Sequence, residues 1–325
     1  MDFRVRKRLL EFFLFVIFNF ALVLLINHLL TLYVLNAAYS DTINYVGSYP
    51  AGDKLIVAFG DSTIQHSMNP AYLGKSANLA TLGGSYVQTY YKLKTLRKYG
   101  IIEPDVVILP LTVVRLMLNY SSEEETTPWY VWDTFIDYPD LLLNTGDYTL
   151  AYKILEGTFP LRGEGNAIMS SFLDFDTRRV NSFRVTANDG LPYFPTHSRL
   201  SSSNKVKRYV SSHRSQLIDG VHLKYLYVLV DYCGQNNITV VFITPPTYVE
   251  YYFNADNEYG VTSLDEYYAY ILEPLSDKEN VHYYDFSNIF SNNKEYMWDL
   301  IHTSDMGSKA TSELLYDNLK RDGVI

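Results

Sequence analysis

From Phe12 to Leu35 the chain runs through 24 residues in which the only polar breaks are Asn19, Asn27, His28 and Thr31. No other feature restricts the fold as much. A helix of that length, rising about 1.5 Å per residue, covers the roughly 30 Å hydrocarbon core of a bilayer with some tilt. Arg4, Arg6, Lys7 and Arg8 stand just before it against a single Asp2, a flank expected to stay cytoplasmic. A cleaved secretory signal is the competing reading, because Ala37 and Ala38 follow the run, although signal cores are usually about 7 to 15 residues long. A buried soluble helix is a third reading, and the basic block ahead of the run speaks against it. The anchor reading divides the chain into a cytoplasmic tail at 1–8, a transmembrane helix at 9–35, a linker at 36–53 and a domain at 54–325 outside the cytoplasm. The lone Cys233 suits that side, since it has no second cysteine to oxidise with.

The remainder is long enough for a sizeable core, with 47% of the whole chain hydrophobic and 19% charged. A net charge of -9 argues against nucleic-acid binding through a broad basic face. Short apolar runs occur at Lys54–Phe59, Ala77–Leu82, Asp105–Leu111, Ile238–Thr244 and Val281–Phe286, each with the look of a buried parallel strand. Helical patterns at Gln88–Tyr99 and Val221–Tyr232 lie between strands and stop at Gly100 and Gly234. Strands alternating with helices imply right-handed crossovers and an α/β fold, a flavodoxin-like three-layer sandwich on a five-stranded, mostly parallel sheet. The stretch 120–215, rich in Ser, Asn, Asp and Thr and holding five prolines, reads as an insertion between the third and fourth strands. No P-loop, G-x-G-x-x-G fingerprint or C-x-x-C pair is present, which removes the commonest nucleotide and zinc readings, and no cofactor is expected.

In an open parallel sheet ligands bind beyond the carboxyl ends of the strands. The first strand delivers Gly60-Asp61-Ser62, a serine on a tight turn into a helix, where free amides can stabilise negative charge. Taken alone, the tripeptide reads first as a helix cap, with Asp61 or Ser62 capping a helix that begins near Thr63. After the fifth strand comes Trp298-Asp299-Leu300-Ile301-His302, followed by Gly307 and a helix from about Lys309 to Lys320. A serine nucleophile needs a base, and the base needs a carboxylate that fixes its tautomer, which His302 and Asp299 supply.

These two blocks, G-D-S after the first strand and D-x-x-H before the last helix, resemble those of the SGNH, or GDSL-like, hydrolase superfamily. The resemblance spans about Lys54 to Asn318 apart from the insertion. It implies Ser62 as nucleophile, His302 as general base and Asp299 as its orienting partner. It also implies an oxyanion hole made by the Ser62 amide and a glycine amide after the second strand, for which Gly84 is the first choice and Gly83 the alternate. The family's asparagine after the third strand is absent. Leu111-Thr112-Val113-Val114-Arg115 stands there instead, so Thr112 or Arg115 is the expected replacement, or the hole works with fewer donors.

With the anchor, the chain is similar to a divergent, membrane-anchored branch that acylates or deacylates cell-surface polysaccharides, some of whose members work beside a multi-pass membrane acyltransferase. The resemblance therefore implies an acyl-ester or glycan substrate in a bacterial envelope and a serine esterase or O-acyltransferase, most simply acting on O-acetyl groups. The alternative is a catalytically silent protein of the same fold that binds glycan or partners an acyltransferase. Among other residues, His66 lies one helical turn beyond Ser62 and competes as base or substrate contact, with a surface or capping role as the plainer expectation. Tyr248 follows the fourth strand and offers a flat face to a sugar, or simple packing. A metal held by Asp61, Asp299 and His302 is not expected, for want of a further ligand in motif spacing.

Overall fold

The computed structural model describes residues 3–81, 83–112, 116, 137–145, 220–248, 264–291 and 293–325. Five strands form one sheet: β1 (Ile56–Ala58), β2 (Ser76–Asn78), β3 (Val106–Pro110), β4 (Thr239–Thr244) and β5 (Val281–Asp285). All pairings are parallel and the order is β2-β1-β3-β4-β5, the doubly wound flavodoxin-like arrangement. The helices are α1 (Phe3–Gly47), α2 (Ser62–Ser67), α3 (Tyr86–Lys98), α4 (Tyr138–Thr145), α5 (Gly220–Gln235), α6 (Leu264–Leu272) and α7 (Asp305–Arg321).

The period-2 geometry of the strands sorts their side chains into two cores. Val57, Phe59, Val107, Leu109, Val240 and Phe242 face a layer that includes Leu93 and Leu96 of α3 and Leu226 and Leu229 of α5. Ile56, Ala58, Val106, Ile108, Val241 and Ile243 face Ile64 of α2 and Leu315 and Leu319 of α7. Both faces of the sheet are thus covered, which is why the strands read as continuous apolar runs.

Several boundaries differ from the sequence expectation, among them the start of the last helix, which is Asp305. The second strand ends at Asn78, four residues before Leu82, because the Asn78 side chain takes the Ala80 amide at 3.1 Å and turns the backbone out of the ladder. The segment 36–53, expected as a linker, is helical to Gly47, with Leu35 and Tyr39 each 1% exposed in the same core as α3 and α5. The last turns of α1 therefore bury against the domain. Among the described residues, the stretch long and apolar enough to cross a membrane falls within Val5–Ile26, where an 18-residue window has a mean hydropathy of 2.7 and none of it is buried. The insertion at 120–215 lies outside the described residues apart from α4.

Candidate active site

β1 hands over to α2 through Phe59, Gly60 and Asp61. Gly60 sits at φ +129°, and a Cβ there would stand 2.5 Å from the Pro110 ring, so only glycine fits between β1 and β3 at this point. Asp61 is the N-cap of α2 and accepts the Thr63 amide at 2.9 Å. Capping therefore falls to Asp61, and Ser62 is left as the first residue of the helix with its hydroxyl free for other use.

That hydroxyl meets His302, with Nε2 2.8 Å from Ser62 Oγ. On the far side of the ring, Nδ1 lies 2.8 Å and 3.0 Å from the two carboxylate oxygens of Asp299. The Asp299 carboxylate also accepts the amides of Ile301 and His302 at 3.0 and 2.9 Å. Burial alone would raise this carboxyl, but the His302 ring and the two amides outweigh it and hold it below its ordinary value. The loop is closed by an antiparallel bridge between Met297 and Thr303, and Ser304, the N-cap of α7, accepts the Gly307 amide. A serine, an imidazole and an ionised carboxylate thus form one hydrogen-bonded line across 240 residues of sequence, and Asp61 is not part of it.

The short helix α2 is fixed from three directions. Asn78 donates to the carbonyls of Ile64, Gln65 and Met68, closing the C-terminal end of α2. Thr303 donates to the carbonyl of His66 at 2.6 Å, joining α2 directly to the Asp-His loop. Ser312 of α7 accepts the Asn69 amide at 2.8 Å.

The turn after β2 lies against the Gly60-Asp61-Ser62 loop, with the Thr81 amide donating to the Gly60 carbonyl at 2.9 Å. A Cβ on Gly84 would stand 2.3 Å from that carbonyl oxygen, so this position needs glycine for close approach. Its own N–H, however, donates to Thr81 at 2.9 Å. The expectation that Gly84 supplies an oxyanion donor is corrected on that ground: the turn consumes its N–H. Among the described residues, the amides of Ser62 and Gly83 donate to no protein acceptor. Thr112 stands two residues past β3 with its Oγ1 buried and unpartnered, while Arg115 lies outside the described residues.

Two further residues gather here. The His66 ring packs edge-on to His302 with centroids 4.9 Å apart and lies 5.4 Å from the Trp298 ring, so His66 belongs to the site and not to an open surface. Burial, with His302 adding to it, pushes the His66 imidazole down to about 4. Tyr248 donates its amide to the Leu300 carbonyl at 2.9 Å and places its ring 5.6 Å from Lys294 Nζ, which ties the loop after β4 to the Asp-His loop. Trp298 was the residue the sequence reading passed over; its place four residues before His302 was the signal available.

No protein-family model and no curated protein sequence matches the chain. Among solved structures it is similar to a candidate acylhydrolase of Bacteroides fragilis, at 10% identity and a TM-score of 0.40 over 87% of this chain and 95% of the other. It is also similar to a GDSL-like lipase of Bacteroides thetaiotaomicron, at 10% identity and a TM-score of 0.40 over 89% and 99%. The protein YxiM of Bacillus subtilis follows at 13% identity and a TM-score of 0.40 over 85% and 58%. The functional reading of this chain stands on its own motifs and geometry.

Proposed function

We propose that the chain is a serine acyl-ester enzyme of SGNH type. The observation that carries this is the Ser62–His302–Asp299 line, closed at 2.8 Å at both ends of the imidazole. His302 Nε2 takes the Ser62 proton as Oγ adds to the acyl carbonyl, and Asp299 keeps the ring in the required tautomer and steadies the imidazolium. The carbonyl oxygen becomes an oxyanion facing the amides of Ser62 and Gly83. Collapse of the tetrahedral intermediate breaks the bond to the leaving oxygen, which receives the proton from His302. Water or a sugar hydroxyl then attacks the acyl-enzyme, giving hydrolysis or transfer, and the proton returns to Ser62.

The finer reading is a single-pass membrane protein, N-terminus cytoplasmic, that removes or transfers O-acetyl groups on a cell-surface polysaccharide, alone or beside a multi-pass acyltransferase. The basic flank at Arg4, Arg6, Lys7 and Arg8 and the exposed apolar helix that follows it to Ile26 support the topology. A fully hydrogen-bonded relay favours the enzyme over the silent glycan-binding alternative. The test is fluorophosphonate labelling of the full chain in detergent, followed by peptide mass spectrometry. Adduct on Ser62 that is lost in His302→Ala is the expected result, and a folded wild type that takes no label would refute the enzyme. Acetate release compared with acetylation of an added glycan then separates hydrolysis from transfer.

A further inference from the structure

His66, Trp298 and His302 form a triangle of rings, with centroid separations of 4.9, 5.4 and 5.8 Å. His66 follows Ser62 by four residues on α2, so both side chains project from one face of that helix. Asp299 and Ser62 occupy the two nitrogens of His302, and His66 and Trp298 border the ring beside them. In an acyl transfer the proton on His302 Nε2 goes to the leaving oxygen, or comes from the attacking hydroxyl, so that oxygen must lie beside His302. The group attached to it then meets the two bordering rings.

The His66 tautomer follows from burial. Its Nδ1 is buried with no hydrogen-bond partner. A buried N–H without an acceptor is rarer and costlier than an unpaired lone pair, which puts the proton on Nε2. With its pKa pushed down to about 4, the ring is a neutral donor at physiological pH, and it neither competes with His302 for a proton nor repels the imidazolium.

We propose that His66 and Trp298 bound the subsite for the leaving group, or for the acceptor alcohol in transfer, and that His66 Nε2–H donates to an oxygen of that group. The chemistry fits a polyhydroxylated ring, with an apolar face on the Trp298 indole and an oxygen on His66. This rests on the serine-enzyme reading above, and it assigns specificity for the alcohol, not the acyl group, to these two residues.

The experiment uses the full chain in detergent and varies one side of the ester at a time. Acetylated methyl glucoside and p-nitrophenyl acetate share the acyl group, whereas p-nitrophenyl acetate and p-nitrophenyl butyrate share the leaving group. For His66→Phe, kcat/KM on the sugar acetate is expected to fall about three- to tenfold relative to p-nitrophenyl acetate, the worth of one hydrogen bond. The acetate-to-butyrate ratio stays unchanged, and the loss on the sugar acetate exceeds any change in the rate of fluorophosphonate labelling at Ser62. His66→Gln keeps a donor at similar reach and retains most of the sugar activity. The proposal is overturned if the sugar-to-nitrophenyl ratio does not move, if the acyl ratio moves with it, if labelling falls in step, or if Gln behaves like Phe. A wild type that labels and hydrolyses p-nitrophenyl acetate but ignores the sugar acetate also overturns it. Absence of labelling in the wild type is, by contrast, the failure of the serine-enzyme reading itself.

Discussion

Asp299 takes hydrogen bonds from the His302 ring and from two backbone amides, and this is why its carboxyl is held below its ordinary value although it is half-buried. An amide in its place keeps the shape but presents a donor to His302 Nδ1 in some orientations and removes the charge that balances the imidazolium. Asp299→Asn is therefore expected to lower kcat for ester cleavage by about 10⁴-fold, the scale of the corresponding change in serine proteases, while leaving the fold and KM nearly unaltered. Steady-state kinetics on p-nitrophenyl acetate checks it, and a drop of less than tenfold would remove Asp299 from the relay. His66 makes a separate prediction about stability. Its folded pKa is about 4 against an ordinary 6.5, so between those values the unfolded chain binds more protons than the native one. Stability falls as pH drops through that window and is level above it. Urea midpoints at pH 7 and pH 4.5 should differ less in His66→Phe than in the wild type, and equal differences would mean that His66 titrates freely.

At the scale of elements, the site depends on α2, which at six residues is too short to be stable by itself. Three carbonyls at its C-terminal end, those of Ile64, Gln65 and Met68, are met by one amide, that of Asn78 at the end of β2. Asn78→Leu removes the donor to the Gln65 and Met68 carbonyls and the acceptor of the Ala80 amide in a buried place, while Ile64 keeps the Met68 amide, at a cost of about 3 kcal/mol. It should also slow Ser62 labelling by about 10²-fold through displacement of the nucleophile from His302. Chemical denaturation and labelling rates measure the two effects separately, and a variant that loses stability but labels at the wild-type rate would show that Asn78 does not position Ser62. This division also marks how far the sequence could be read. The strands were legible because a sheet covered on both faces demands unbroken apolar runs, as in Val106–Pro110 and Thr239–Thr244. The G-D-S and D-x-x-H blocks were legible because each is local. Asn78 was not, since nothing in its neighbourhood says that the carbonyls it meets belong to a helix 10 to 14 residues earlier. Gly83 and Gly84 were distinguishable only by which amide the turn uses, a matter of backbone geometry. The spacing from Ser62 placed His66 on the right face, but the Trp298 ring beside it comes from the other end of the chain.

For the whole molecule, the consequence lies in how α1 joins membrane stretch to domain. A single helix carries the exposed membrane-length stretch ending at Ile26 and then, without a break, Leu35 and Tyr39 in the core, with Ile43 and Val46 packed against it. The His28 ring stacks on Tyr99, 5.2 Å away, just past the C-terminal end of α3. Helix α3 starts at the carboxyl edge of the sheet beside Gly84 and ends at the opposite edge. In the proposed anchored arrangement the helix therefore leaves the domain on the side away from Ser62. A flexible linker would have left that orientation free. The same continuity predicts where the chain can be cut. Removal of residues 1–26 takes away the basic flank and the exposed apolar stretch and none of the core residues, so the remainder should dissolve without detergent, unfold cooperatively and label at Ser62. Removal of residues 1–47 strips Leu35 and Tyr39 from the core, each worth about 1.5–3 kcal/mol of burial, and should lower stability by about 3–6 kcal/mol. That is a large part of what a domain of ordinary stability possesses. Urea unfolding of the two truncated chains decides the matter: equal midpoints would make residues 27–47 a dispensable tether, whereas a markedly lower midpoint for the shorter chain makes them a structural part of the catalytic domain.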